Sequence, residues 1–427
     1  MTPSPVREGW DGGRLNQRLI LSKAINLCYL EEISAQFILN LLRLNLIKIT
    51  MRSLLVPVSF VLLNLLACKE SVTISTTSAD RFPPEPKPES YVCYRAASPV
   101  IADGVPDEAD WNKVPWTNLF RDIEGSKKPE PWFKTHAKLL WDDENLYILA
   151  ELEEPHVWAK LRQRDTVVFY DNDFEVFIDP DGDTHAYYEL EVNAFGTAWD
   201  LLLLKPYRDG GAAVNGWDIA GLKVGIGVDG TLNNPKDEDK GWVVEIAIPL
   251  KSMKEWRANG KWPNPGDQWR LGFSRVEWKT HIENGTYVKD INPATGRPFP
   301  EENWIWSPQG RINMHMPEMW GYLQFSSLIA GTGEEAFVPD REMDLKWALR
   351  LIYYAENEFY AKNKKYSNDL SEIGLSMKDF PGGLTEPVIH ATRTTFESYF
   401  PNDPSGKGLT IYHDGRLIRI ADSLVVK

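Results

Sequence analysis

Apolar and polar residues alternate with a period of two through much of this chain, and turn residues separate the alternating runs, so the pattern predicts strands joined by tight connections. The run "KLLWDDENLYILAELEE" places an Asp-Asp-Glu-Asn turn between two apolar segments and predicts a hairpin. A second hairpin is predicted where "DFEVFID" and "AYYELEVNA" flank Pro180-Asp181-Gly182-Asp183. In its second arm Tyr188, Leu190 and Val192 share one face, while Tyr187, Glu189, Glu191 and Asn193 share the other. The first face reads as core. The second gathers two carboxylates and an amide beside aromatic rings, more than a solvated face needs. Further strands read from "LKVGIGV", "GWVVEIAIP", "QWRLGFSRVEW" and "WGYLQFS", and "LKSMKEW" after Pro249 predicts one short helix. With no long helical periodicity before residue 340, residues 91–326 are expected to form a mainly β domain, an antiparallel β-sandwich.

Beyond that domain the period changes. Leu345, Leu349, Ile352 and Phe359 fall at helical spacing and predict an amphipathic helix ending near Lys362 to Lys365. Short strand-like runs follow at "VIHATRTTFESYF", "LTIYHD" and "RLIRIA". Residues 327–427 are therefore expected to form a small α+β appendage, with 340–427 a candidate surface for a protein partner.

The N-terminal region carries targeting chemistry instead of a fold. Met51-Arg52-Ser53 followed by "LLVPVSFVLLNLLAC" is a short basic start and an apolar run too short to span a bilayer as a helix, which is the build of a signal peptide. Leu65-Leu66-Ala67-Cys68 resembles a bacterial lipobox, which implies lipidation of Cys68 and an anchor in the membrane. A signal must lie at the N-terminus to work, so residues 1–50 read as a mis-called upstream segment. The stretch 69–90, rich in Ser, Thr and Pro, suits a tether. Lys69, where an inner-membrane retention signal commonly has Asp, favours the outer membrane or cell surface. After Cys68 only Cys93 remains, so no disulfide is available to the exported domain.

Charge and composition narrow the ligand. A formal net charge of -14 argues against nucleic acid and anionic lipid as principal partners, because both need basic patches, and leaves neutral polar ligands open. Aromatic residues make up 12% of the chain, with 17 Trp, so some rings are expected to line a surface or groove.

The blocks "IADGVPDEADWNKVPW", "KLLWDDENLYILAELEEPHVWA", "DNDFEVFIDPDGD", "YYELEVNAFGTAWD", "GWVVEIAIP", "WRLGFSRVEW" and "WIWSPQG" to "WGYLQFS" resemble, in order, those of the family 9 carbohydrate-binding module. The resemblance implies a jelly-roll-like β-sandwich that holds sugar in an aromatic-walled slot. Relatives in the same superfamily bind haem, so fold alone does not decide function.

A pyranose needs flat rings for its C–H faces and groups that donate and accept hydrogen bonds for its rim. Candidate platforms are Trp158, Trp199, Trp217 and Trp278; candidate polar partners are Glu175, Glu189, Glu191, Asn193, Arg208 and Arg275. An ion-pair network across the sheet would use the same charged residues, and a structural or protein-interaction module is the competing reading. Carboxylates two apart on a strand stand about 7 Å apart, within the span a glycoside hydrolase uses, but nothing in the sequence singles out an acid and base pair. No cofactor is required. Asp179, Asp181 and Asp183 alternate like the first ligands of a calcium loop, so a structural calcium is possible in that turn, although the glycine at Gly182 and Leu190 at the twelfth position depart from the EF-hand pattern. Met314-His315-Met316 offers the ligand types of a haem iron without an attachment motif.

Overall fold

The computed structural model describes residues 81–83, 86–256, 263–403 and 408–419. The segment 1–50, the signal at 51–68 with Cys68, and the tether up to residue 80 lie outside the described residues. Among the described residues no helix is long and apolar enough to cross a membrane.

The strands in chain order are β1 (Ser90–Arg95), β2 (Arg121–Asp122), β3 (Thr135–Trp141), β4 (Asn145–Glu153), β5 (Asp173–Asp179), β6 (Tyr187–Asn193) and β7 (Ala198–Leu203). They continue with β8 (Ala213–Val214), β9 (Lys223–Asp229), β10 (Gly241–Pro249) and β11 (Gln268–Glu277). Two small hairpins follow, β12 (Thr280–Glu283) with β13 (Thr286–Lys289) and β14 (Ile291–Asn292) with β15 (Arg297–Pro298), before β16 (Glu302–Ile305) and β17 (Gly321–Ile329). Hydrogen bonds link the main strands into one ribbon in the order β8-β7-β6-β5-β11-β17-β1-β3-β4-β10-β9, with β16 and β2 attached beside β11.

The ribbon closes on itself as a sandwich. One leaf contributes Phe174, Val176, Tyr188, Leu190, Val192, Leu271 and Phe273 to the central core; the other contributes Leu139, Ile148, Val244 and Ile246. Strict alternation produces this: every second residue of β6 points inward, as the sequence predicts. The hairpin at Pro180–Asp183 and the one between β3 and β4 form as expected.

The joint between the leaves departs from the expected antiparallel pattern. β1 runs parallel to both neighbours, pairing with β17 through Ser90–Cys93 and with β3 through Tyr94–Arg95. The chain enters the ribbon in its middle, and β3 follows only after the long crossover 96–134, the length a parallel pair requires. That crossover carries Trp111, whose indole donates to Glu245 at 3.1 Å and whose ring packs on Leu140, Tyr147 and Leu149. It therefore covers the outside of the second leaf. "LKSMKEW" forms a 3-10 helix.

The C-terminal region has the expected composition, helix α1 (Met343–Asn363) and a four-stranded meander of β18 (Val388–Ala391), β19 (Phe396–Tyr399), β20 (Leu409–Tyr412) and β21 (Leu417–Arg419). Leu345, Leu349 and Ile352 are buried, and the helix stops at Lys364, which takes a left-handed conformation. Its apolar core also takes in Met316 and Met319 from the segment preceding β17, so this region shares a core with the sandwich. Polar groups reinforce the joint. Arg208 pairs with Glu318 at 2.7 Å and donates to Tyr353 Oη at 3.1 Å, while Tyr354 donates to Glu318 and Tyr353 to Asp209.

Burial pushes the Glu318 carboxyl up, but Arg208, Arg350 and the Tyr354 hydroxyl outweigh it and hold it down to about 2. A depressed folded-state pKa stabilises the fold above the unfolded value of about 4.3, and that stability disappears as pH falls toward about 2. Glu318→Gln should cost about 3 kcal/mol at pH 7 and flatten the fall in melting temperature between these limits. Thermal melts of both proteins across that window check this; parallel curves would refute it.

Candidate functional site

The polar face of β6 proves to be the outer face of the first leaf, and it too is buried. Tyr187, Glu189, Glu191 and Asn193 are at most 1% exposed, as completely enclosed as the inner face. Two coverings achieve this. Apolar residues Val168, Phe177, Tyr187, Trp199, Leu201, Leu203 and Trp320 form a second, smaller core at one end. Gly272 of β11 makes the approach possible, because a Cβ there would meet the Trp320 ring at 3.2 Å. At the other end Trp158, Val276, Trp278 and Tyr287 pack together.

The segment 154–172 lies over this face and is tied down at both ends by one ion pair. Arg275, 1% exposed, donates to Glu277 and to Glu154, each at 2.8 Å, and also to Thr135 Oγ1 and the Glu153 carbonyl. Asn172, at the far end of the segment, donates to Glu277 at 2.8 Å and accepts from the Trp278 backbone N–H at 2.9 Å. The guanidinium also lies over the Trp304 ring at 5.1 Å. Burial pushes Glu277 well above the usual carboxylate range, helped by the Glu154 charge and opposed by Arg275. Within the segment, Asp171 accepts from the backbone of Lys160 and Leu161, and Glu191 accepts from the backbone of Phe169 at 3.0 Å.

Cross-strand register assembles a row of acids beneath the segment. Ser274 of β11 faces Glu175 of β5, Glu175 faces Glu191 of β6, and Glu191 faces Trp199 of β7. Asp173, two places before Glu175 on the same strand face, completes a trio whose oxygens lie within 4.8 Å of one another. Burial, then the charges of Glu175 and Glu191, push Asp173 well above its ordinary range.

The rim of this face carries an exposed ring, Tyr170, beside a packed one, Trp278. Tyr170 is 55% exposed, and its ring is 4.9 Å from that of Phe169. Trp278, whose indole donates to the Phe169 carbonyl at 2.8 Å, lies under Lys289 Nζ at 3.2 Å; the same ammonium is 5.7 Å from the Tyr170 ring. Burial lowers Lys289 to about 8 against the pull of Asp171 and Glu301. Tyr170, Trp278 and Lys289 thus form a corner of two rings and a cation above buried carboxylates.

The structure brings only some of the sequence candidates here. Glu175, Glu189, Glu191, Asn193, Trp199, Trp158 and Trp278 all lie on or against the outer face. The tryptophans are packed: Trp158, Trp199 and Trp278 are 3%, 5% and 8% exposed. Trp217 instead tilts against Tyr188 at 4.9 Å, on the inner side of the sheet. Asn193 spends its amide on the Leu161 carbonyl, Asp171 and the turn at Phe195 and Thr197. Arg208 is taken by the joint with α1, and Arg275 by the clamp on Glu154 and Glu277, so neither guanidinium reaches the rim. Phe169, Tyr170, Asp173, Ser274 and Lys289 join the candidate residues; "FYDND", two aromatics running into acids at a strand entry, is a local signal for the first three, whereas Ser274 and Lys289 arrive from distant strands.

The turn acids are close together but occupied. Asp179 accepts from the backbone of Gly182 and Thr184, each at 2.9 Å, and Asp183 pairs with Arg416 at 2.7 Å. The three acids offer oxygens within 4.8 Å of one another, so the turn caps itself and still presents the donor set of a cation site. His315 Nδ1 lies 2.9 Å from Tyr187 Oη with Phe177 and Tyr207 edge-on to its ring, and Met316 is in the C-terminal core, so Met314-His315-Met316 serves packing in this fold.

Residues 101–281 match the family described as "Carbohydrate family 9 binding domain-like". No curated protein matches the chain at a significant level. Among solved structures, a family 9 carbohydrate-binding module from Caldicellulosiruptor kristjanssonii in complex with cellotriose is 19% identical, covering 59% of this chain and all of its own, with a TM-score of 0.36. The same module with glucose gives 18% identity, the same coverages and a TM-score of 0.36. A Bacteroides uniformis ATCC 8492 protein, proposed to bind carbohydrate, is 18% identical over 56% of this chain and 99% of its own, with a TM-score of 0.40.

Removing the clamp should loosen the covering segment. Arg275→Ala leaves Glu154 and Glu277 buried together without a counter-charge and should cost about 3–5 kcal/mol in urea unfolding. Adding Glu277→Gln should recover part of that loss, since the two changes share one network. A cost below about 1 kcal/mol would show that the pair does not hold the fold.

Proposed function

We propose that this protein is an exported, lipid-anchored carbohydrate-binding protein whose sandwich holds a saccharide at the Tyr170, Trp278 and Lys289 corner. The observation that carries the reading is the exposed Tyr170 ring beside Trp278 and Lys289, within and next to the stretch that matches the family. The rings suit the C–H faces of a sugar, and the ammonium, with Glu175 as the least enclosed acid behind it, suits the hydroxyl rim. Anchoring through Cys68 and the tether would hold the sandwich at the outer membrane or cell surface, where it would serve capture or breakdown of polysaccharide. A structural or protein-interaction role is the second reading, favoured by the full packing of Trp158 and Trp199.

Titration of the intrinsic tryptophan fluorescence with mono- and oligosaccharides, glucose and cellotriose among them, tests this. A saturable change is expected, abolished by Trp278→Ala and weakened about tenfold by Tyr170→Ala. A flat response to every sugar from correctly folded protein would overturn the reading in favour of the second.

A further inference from the structure

We infer that the guanidinium of Arg350 holds one monatomic anion, chloride foremost, in the small cavity where helix α1 meets the turn between β5 and β6. The inference does not rest on saccharide binding.

A buried charge with unmet donors is the first argument. Arg350 is 1% exposed, and its Nε and Nη1 have no hydrogen-bond partner among the described residues, while Nη2 makes a long 3.5 Å contact with Thr184 Oγ1. A guanidinium keeps its proton inside a protein, so burial cannot neutralise it. An enclosed charge is costly unless it is paired and hydrogen-bonded. The acids whose charges it feels, Glu318 and Asp209, are bound by other groups. Glu318 takes Arg208 and the Tyr354 hydroxyl, and Asp209 takes the Tyr353 hydroxyl.

Space and local charge are the second. Arg350 lines a cavity of about 20 Å³ with Gly182, Thr184, Arg270, Lys346 and Glu318 among the other walls. A water-sized sphere needs about 10–15 Å³, so the cavity takes one particle of that order and is too small for sulfate, phosphate or a carboxylate. Three of those side chains are cations and one is an acid. Lys346 pairs with Asp340 at 2.7 Å, but Arg270 spends its guanidinium on the carbonyls of Trp320 and Glu318 at 2.7 and 3.1 Å, so its charge, like that of Arg350, meets neutral acceptors. The acids of the neighbouring turn are engaged too, Asp179 by the backbone of Gly182 and Thr184 and Asp183 by Arg416. A water would accept one hydrogen bond and bring no charge. A monoanion accepts charge-assisted bonds from Nε and Nη1 and offsets the surplus at the same time. Because Thr184 belongs to the first leaf and Arg350 to α1, the ion would tie the C-terminal region to the sandwich beside the Arg208 and Glu318 pair.

The test uses the purified full chain in sodium chloride, sodium bromide and sodium gluconate at matched ionic strength. The melting temperature should be higher in chloride and bromide than in gluconate, because the halides bind the folded state alone. The chlorine NMR line should broaden with added protein and sharpen again when bromide competes. Arg350→Met keeps much of the side chain's length without its charge and should abolish both the broadening and the advantage of chloride over gluconate. Arg393→Met removes an exposed cation and should leave both unchanged. Arg350→Lys keeps the charge but loses the fork of donors, so it should weaken chloride at least about tenfold and decides the matter if Arg350→Met does not fold. Equal melting in chloride and gluconate with no broadening would overturn the inference and leave a water in the cavity. A chloride effect that persists undiminished in the Arg350 variants would overturn it as well, since it would come from an adventitious ion only.

Discussion

The buried ion pair between Arg275 and Glu277 is the constraint on which the arrangement of the outer face depends. One guanidinium reaches from β11 in the first leaf to Thr135 and the end of β4 in the second, and through Glu154 and Asn172 it fixes both ends of the segment that covers the carboxylates. Two acids share one cation, so the pair is not a simple source of stability; desolvating all three groups is costly, and one acid shifts toward its neutral form. Its value lies in position. Because the segment starts and ends on the same charge, Phe169 and Tyr170 are held at a set height above Glu191 and Trp278.

That positioning explains why a face rich in acids is nevertheless buried. A sandwich needs only its inner faces covered, and an outer face ordinarily meets water. Here the outer face of the first leaf acquires a second apolar layer from Trp199, Trp320 and Val168, and the joint with α1 seals its far end through Arg208 and Glu318. The C-terminal region is thus part of what encloses the leaf, since Met316 and Met319 belong to its core while the adjacent Trp320 belongs to the outer layer.

Much of the fold was legible in the sequence, because local periodicity carries it: the inward face of β6, both hairpins and the apolar stripe of α1 follow from alternation and helical spacing alone. The parallel placement of β1 was not, since its partners β17 and β3 are set by closure of the whole ribbon. The candidate site was legible in part. Glu175 and Glu191 could be read as a polar strand face, but Arg208 also reaches Glu318, 110 residues away, and Arg275 reaches Glu154, 121 residues away, and no local pattern reveals these engagements. Lys289 reaches Trp278 only because the β12–β13 hairpin folds back beside β11. Aromatic content predicted surface rings, and burial leaves Tyr170 and Trp132 exposed, residues whose sequence context is no different from that of packed aromatics.

Charge finally limits what this face can accept. Three carboxylates under the rim and a net charge of -14 repel an anionic polymer, so a bare acidic polysaccharide would approach against the field of the whole protein. A neutral sugar meets no such barrier, because its hydroxyls carry no charge to be repelled or desolvated. Lys289 holds its proton weakly, with its value lowered to about 8, so the rim loses that charge in mildly alkaline conditions while the rings beside it are unaffected. Ring stacking and the hydroxyl contacts of that ammonium are therefore separable by pH, the first persisting where the second fades.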